Sequence, residues 1–198
     1  MSRERSEIMS DSTGLKAWVD RIRYKEFYRQ SLGLLLIAVC AWATEPGHQR
    51  VLIGFAIAAA GQLFRIFAAG TIFKNHMLAT LGAYSMVRHP LYLGNLLILG
   101  GIALASGSLV MVLIIVSFFM IWYPAAINYE DAKLERIFAD DWRNWSAGTN
   151  AIFPRRLSWQ ALADTHWNAR QSLIRNGEFY ITIYLVACAA WLWLRAHS

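Results

Sequence analysis

Gly82-Ala-Tyr84-Ser-Met-Val-Arg88-His89-Pro90-Leu91-Tyr92-Leu-Gly94 sets a charged, titratable, proline-started helix entrance directly against an apolar run. Proline suits a first helical position because its missing N–H would have no intrahelical partner there, and the helix mouth stays open to an anion. Arg88 and His89 stand at that mouth. Further along, Asn128-Tyr129-Glu130-Asp131 places a carboxylate pair where another apolar run ends. Carboxylates so placed can meet a cation or accept a proton. Taken alone, Glu130 and Asp131 would pair with nearby arginines. Taken with Arg88, His89 and Tyr92, they make a mixed polar site at the edge of a bilayer.

The elements that must position these groups are membrane spans. Of 198 residues, 57% are hydrophobic and only 16% charged, which places the chain outside the ordinary soluble class. Apolar runs at Val51–Ala69, Leu91–Ala105, Leu109–Ile127 and Phe179–Leu194 approach the roughly 20 residues a helix needs to cross a bilayer. A shorter run, Leu32–Ala43, is counted as a fifth span, with Glu45-Pro46-Gly47 expected to fold it against the next as a hairpin. Ser106-Gly107-Ser108 leaves almost no loop between the third and fourth spans and predicts a tight antiparallel pair. The expected fold is therefore an all-α, polytopic membrane protein of one domain, 1–198. Its parts are a polar N-terminal region and interfacial helix (1–30), four spans (31–127), site-covering and interfacial helices (128–177) and a last span (178–198).

Lys and Arg cluster before the first span, between the second and third, and after the fourth, which predicts a cytoplasmic N-terminus and a cytoplasmic 128–177 segment. The same loops account for the formal charge of +6, so nucleic acid is not an expected partner. The polar stretch ahead of the first run does not read as a signal peptide, and Met1–Ser12 is expected to be disordered. Leu15, Trp18, Val19 and Ile22 recur at helical spacing opposite basic residues, as in a helix lying on an anionic leaflet. Ser158–Ile174, with Trp159, Leu162, Trp167 and Leu173, reads the same way. Cys40 and Cys188 lack metal-ligand or redox spacing, and no metal site is expected. Arg65, late in the second span, is expected to snorkel to the headgroups. Beyond Pro124, which should bend the fourth span, Glu130, Leu134, Phe138, Trp142 and Trp145 fall on one helix face.

The Arg-His-Pro-Leu-Tyr-Leu-Gly segment, preceded by Gly-x-Tyr and followed by the acidic pair, Leu134, Phe138, Trp142, Trp145 and Phe153-Pro154, resembles the isoprenylcysteine carboxyl methyltransferase and phospholipid methyltransferase superfamily. The likeness covers roughly 74–154. It implies a membrane methyltransferase that binds S-adenosylmethionine between the loop before the Arg-His-Pro helix and the helix after the next span. The implied cofactor contacts are His76, Met77, Leu78, Ala79, Tyr84, His89, Pro90, Leu91, Tyr92 and Glu130. Glu130 suits the cofactor's ammonium, and the Arg88-His89 mouth its carboxylate. Departures are also visible. Ala126 stands where prenylcysteine methyltransferases carry an arginine, Asp131 for a glutamate, and Ala139 for a glycine.

The activity so implied is S-adenosylmethionine-dependent methyl transfer to a lipophilic, membrane-resident acceptor, a lipid amine, thiol or carboxylate. Such a transfer mainly needs positioning and exclusion of water. Arg88 and Glu130 are the candidate catalytic residues, and Asn128 and Asp131 the candidate acceptor contacts. The bilayer itself is the expected partner, with a bacterial inner membrane the expected location. Two other readings stay open: a sterol-reductase-like enzyme using NADPH, and a small membrane scaffold or transporter whose charges pair structurally.

Overall fold

A computed structural model describes residues 26–43, 47–72, 77–155, 159–163 and 165–197. The order is α1 (Glu26–Ala43), α2 (His48–Thr71), a 3₁₀ turn (Gly82–Ser85), α3 (Pro90–Ser106), α4 (Leu109–Gly148), α5 (Trp159–Ala163), a π-helical turn (Gln171–Arg175) and α6 (Glu178–His197). Among the described residues there is no strand, and the architecture is all-α. Helices α2, α4 and α6 are long and apolar enough to cross a membrane, while α1 and α3 are shorter apolar helices. The protein is a membrane protein.

The tightest packing joins α2 to α3, antiparallel. A Cβ on Gly54 would lie 2.4 Å from the Gly101 carbonyl oxygen, and one on Gly61 would lie 2.8 Å from that of Gly94. Lipid tails are as apolar as leucine, so membrane helices associate through such close backbone approach rather than by escape from water. Small residues at Gly54, Ala58 and Gly61 on α2 and at Gly94, Gly101 and Ala105 on α3 supply it. Helix α1 departs from expectation. It packs on α3, α6 and α4 and scarcely on α2, so the first two helices do not form the anticipated hairpin. Ile37 and Cys40 of α1 enter one core with Ile98, Ile102, Phe118 and Tyr123.

The turn between α3 and α4 forms as its residues dictate. Gly107 takes the left-handed conformation at φ 66° that closes α3, and the Ser108 side chain accepts from Met111 N–H to open α4. Leu109, Val110, Leu113, Val116 and Met120 of α4 are exposed, as a lipid-facing surface must be. The helix runs on through Pro124, past the end of its apolar part near Ile127, until Ala139, whose φ of 45° and ψ of −114° make an elbow. The expected single face from Glu130 to Trp145 is broken there. Beyond the elbow, Trp142 is buried with the Arg88 guanidinium over its ring, and Trp145 packs against the cluster of Ala68, Ala83 and Tyr84.

The expected surface helix over 158–174 is not continuous. Helix α5 ends at Ala163, and 165–176 form a strap over the end of α2. Trp167 Nε1 and Ser172 Oγ donate to the Ile66 carbonyl at 3.1 and 2.7 Å, Asn168 N to Gly70 at 3.1 Å and Asn176 Nδ2 to Ala69 at 2.7 Å. A helix end leaves its last four carbonyls without intrahelical partners, and here a returning chain supplies donors to two of them, Ala69 and Gly70. Met1–Ser12, the helix expected around Leu15, Trp18, Val19 and Ile22, and the Trp159 side chain lie outside the described residues.

Candidate functional site

The Arg-His-Pro turn is held from two sides. Its backbone pairs with the chain after the elbow, Arg88 N–H donating to Asn150 at 2.8 Å and His89 N–H to Ala151 at 2.9 Å. Its side chains turn to α4. Arg88 donates through Nη2 to Asp131 Oδ2 at 2.8 Å and through Nη1 to the Thr149 carbonyl at 2.8 Å. His89 Nε2 lies 2.7 Å from Asp131 Oδ1, and Nδ1 lies 3.4 Å from Glu130 Oε2. Tyr92 donates its hydroxyl to Glu130 Oε1 at 2.7 Å and stacks on the His89 ring. The cations, the phenol and the carboxylates thus meet at one end of the bundle, just outside the apolar parts of α3 and α4.

Both ring nitrogens of His89 face carboxylate oxygens, an arrangement the doubly protonated imidazolium satisfies completely. Burial would lower the His89 pKa, but the hydrogen bonds and charges of Asp131 and Glu130 outweigh it and hold the pKa above its ordinary value. For Asp131, burial would raise the pKa, and the partners His89 and Arg88 instead pull it down. Burial, then Glu130, pushes the Tyr84 phenol up. The signs fix a pH window. A raised histidine contributes stability that is complete below about pH 6.5 and lost as pH climbs through the folded value. The lowered Asp131 contributes stability present above about pH 4 and lost as pH falls through its folded value. Thermal unfolding in detergent should therefore weaken between neutral and alkaline pH, and His89→Gln should flatten that limb. An unchanged alkaline limb in the variant would show that His89 is neutral.

A cavity of about 680 Å³, within the usual range for small-molecule sites, opens beside this cluster. Of the residues anticipated for the cofactor, Met77, Leu78, Ala79, Tyr84, His89, Pro90, Leu91, Tyr92 and Glu130 all line it, as does Arg88, while His76 lies outside the described residues. Asn128 is exposed and does not line the cavity, because the helix turns it about 100° per residue away from the face that carries Tyr129 and Glu130. Asp131 stands behind the wall and buttresses His89 and Arg88 rather than lining it. Ala126 lines the wall one helical turn below Glu130.

The sequence reading did not anticipate the parts played by Arg65, Glu178, Gln62 and Asn95. Arg65 does not snorkel. It is buried and bonded to the buried Glu178 through Nη2–Oε1 at 2.6 Å and Nε–Oε2 at 3.2 Å, with Gln62 Nε2 on the same carboxylate at 3.1 Å. Asn95 accepts from Arg65 Nη1 at 2.5 Å. All but Gln62 line the cavity. The available signal was a polar residue three positions after Tyr92 inside an apolar run, on the same face. Trp145, from beyond the elbow, roofs the space together with Leu134 and Phe138.

Chemically, Glu130 presents a partly exposed carboxylate to the cavity while held by a phenol and the His89 ring, so it can take a ligand cation. The chain is 35% identical over 105 residues to the cobalt-zinc-cadmium resistance protein CzcN of Cupriavidus metallidurans, covering 52% of this chain and 47% of that protein. It is 29% identical over 156 residues to the nickel-cobalt-cadmium resistance protein NccN of Alcaligenes xylosoxydans xylosoxydans, covering 71% and 70%. The matched part thus spans about half the length of the first relative. No solved structure matches the chain. The phospholipid methyltransferase family matches residues 28–141, from within α1 through the acidic pair to just past the elbow, and the chain belongs to that family.

Proposed function

We propose that this protein transfers a methyl group from S-adenosylmethionine to a lipophilic acceptor that enters from the bilayer. The carrying observation is one cavity that has a charged, hydrogen-bonded end at Tyr84, His89, Tyr92 and Glu130 and an apolar end among the membrane helices. The donor set fits the cofactor: a carboxylate for its ammonium, the backbone of 77–79 and the α3 mouth for its carboxylate, and Tyr84 with Leu91 for its flat base. When bound, it supplies an electrophilic methyl group on a cationic sulfur.

The protein's own share is placement and exclusion of water. Trp145, Leu134 and Phe138 close the roof. Tyr92 and His89 fix the Glu130 carboxylate, which can also take the proton released by an acceptor amine or thiol. Arg88 is a positioning residue, because its two Nη groups are committed to Asp131 and Thr149 and so hold the chain after the elbow over the cavity. The Lys and Arg loops favour placing this end on the cytoplasmic side, in a bacterial inner membrane. The relatives' names concern resistance to cobalt, zinc, cadmium and nickel, and modification of a membrane component is the role we assign this chain in such a setting.

Calorimetry with S-adenosylhomocysteine on detergent-purified protein tests the reading. Micromolar binding, weakened about a hundredfold by Glu130→Ala through loss of a charge-assisted partner, is the expected result. Binding of NADPH in its place would move the protein to a reductase, and binding of neither by folded protein would leave a structural role.

A further inference from the structure

The cavity is stratified along α3, α4 and α6. On α3, Tyr92 bonds to Glu130, Asn95 lies about 4.5 Å deeper by helical rise, and Ile98 and Leu99 lie one turn deeper again. On α4, which runs the other way, the series is Glu130, Ala126, Tyr123. On α6 it is Glu178, Ile181, Leu185. A polar layer of Asn95, Arg65 and Glu178 therefore separates the charged end from an apolar floor. A methyl acceptor with its tail in the floor would have its head in this layer, beneath the donor site.

We propose that this middle layer is the acceptor's head-group site, with Asn95 as its contact, and that it takes an uncharged hydroxyl or thiol on an apolar tail. The inference rests on the methyl-transfer reading above and narrows its substrate. Arginine has only donors, so the Asn95 group that meets Arg65 Nη1 is its oxygen. The amide N–H groups must then point elsewhere, and Asn95 lines the cavity with no acceptor for Nδ2 among the described residues. A donor there suits an oxygen or sulfur, which offers one lone pair to Asn95 and would use another to take the methyl group as the cofactor's sulfur–carbon bond breaks, its own proton passing to Glu130 on the wall of the same cavity. An amine has one lone pair only, and a bond to Asn95 would block it. Charge points the same way. Glu178 holds Arg65 through two bonds, Gln62 adds a third donor to that carboxylate, and the pair is neutral and almost wholly buried. A carboxylate head would compete for Arg65 and strand Glu178 without its partner. Ala126 offers no cation in compensation.

The test uses the full chain in detergent, loaded with S-adenosylhomocysteine and an equimolar mixture of 1-hexadecanol, hexadecylamine, hexadecanoate and hexadecane, and read by native mass spectrometry. Retention of 1-hexadecanol at least about tenfold above the other three, the worth of one good hydrogen bond, is the expected outcome. Asn95→Leu should reduce it to the level of hexadecane with S-adenosylhomocysteine affinity unchanged. Asn95→Asp, which keeps an acceptor for Arg65 and so protects the fold, should lose the preference as well. Equal retention of hexadecanoate or hexadecylamine, or a preference that survives both substitutions, overturns the acceptor site while S-adenosylhomocysteine binding keeps the methyl-transfer reading intact. Folded wild-type protein that binds no S-adenosylhomocysteine overturns that reading, and the acceptor site falls with it.

Discussion

Arg65→Met should destabilise the protein by about 3–5 kcal/mol, because it leaves the Glu178 carboxylate buried with no cation to meet it. That is a large share of the roughly 5–15 kcal/mol by which a domain is usually stable. Glu178→Leu should do comparable damage by stranding the guanidinium. The informative variant is the double one. Arg65→Met with Glu178→Leu replaces the ion pair by apolar groups of similar bulk, and buried pairs replaced in this way are often neutral or better. Unfolding midpoints in detergent should fall for each single variant and recover in the double. Should the double variant be as unstable as either single, the pair is not the linkage between α2 and α6 that its 2.6 Å contact indicates. Loss of ligand retention in a stable double variant would separate the pair's part in the cavity from its part in the fold.

Adjacent glycines on α3 should respond in opposite directions. A Cβ on Gly101 would lie 2.4 Å from the Gly54 carbonyl oxygen and 2.7 Å from the Ala58 nitrogen, both backbone atoms that cannot swing aside. Gly101→Val should force α2 and α3 apart at a cost of about 3 kcal/mol, the upper end of ordinary overpacking. Gly100 meets nothing within 4 Å, and Gly100→Ala should gain about 0.5–1 kcal/mol from lower unfolded-state freedom. Measured on the same preparation, a benign Gly101→Val would contradict the close α2–α3 crossing.

What the sequence reveals divides by range. The apolar runs, the proline that opens α3 and the serine and glycine of the α3–α4 turn are local signals, and α3 begins and ends, and α4 begins, where they direct. The meeting of Arg88 and His89 with Glu130 and Asp131 was also legible, since that turn forces α3 and α4 to be neighbours. Helix phase was harder to read. Asn128 and Asp131 both sit by Glu130 in sequence, yet one faces outward and the other lies behind the wall. The Arg65–Glu178 pair was beyond reach, because nothing local to either residue identifies a partner 113 positions away. The position of α1 failed for a related reason. A turn signal after Ala43 shows that the chain reverses but not which helix the returning face will choose, and small residues on α2 had already reserved that face for α3.

The roof is held over the chamber against strain at Ala139. Its φ of 45° and ψ of −114° lie where residues other than glycine are strained, at a cost of about 1–3 kcal/mol. Wall and roof are one rod bent at that point, so straightening the bend would return the strain and lift Trp145 from Tyr84. The bonds that Arg88 and His89 make to Thr149, Asn150 and Ala151 hold the bend against that strain. Asp131, on which both basic side chains lean, is thereby part of what keeps the roof in place, though it does not itself line the chamber.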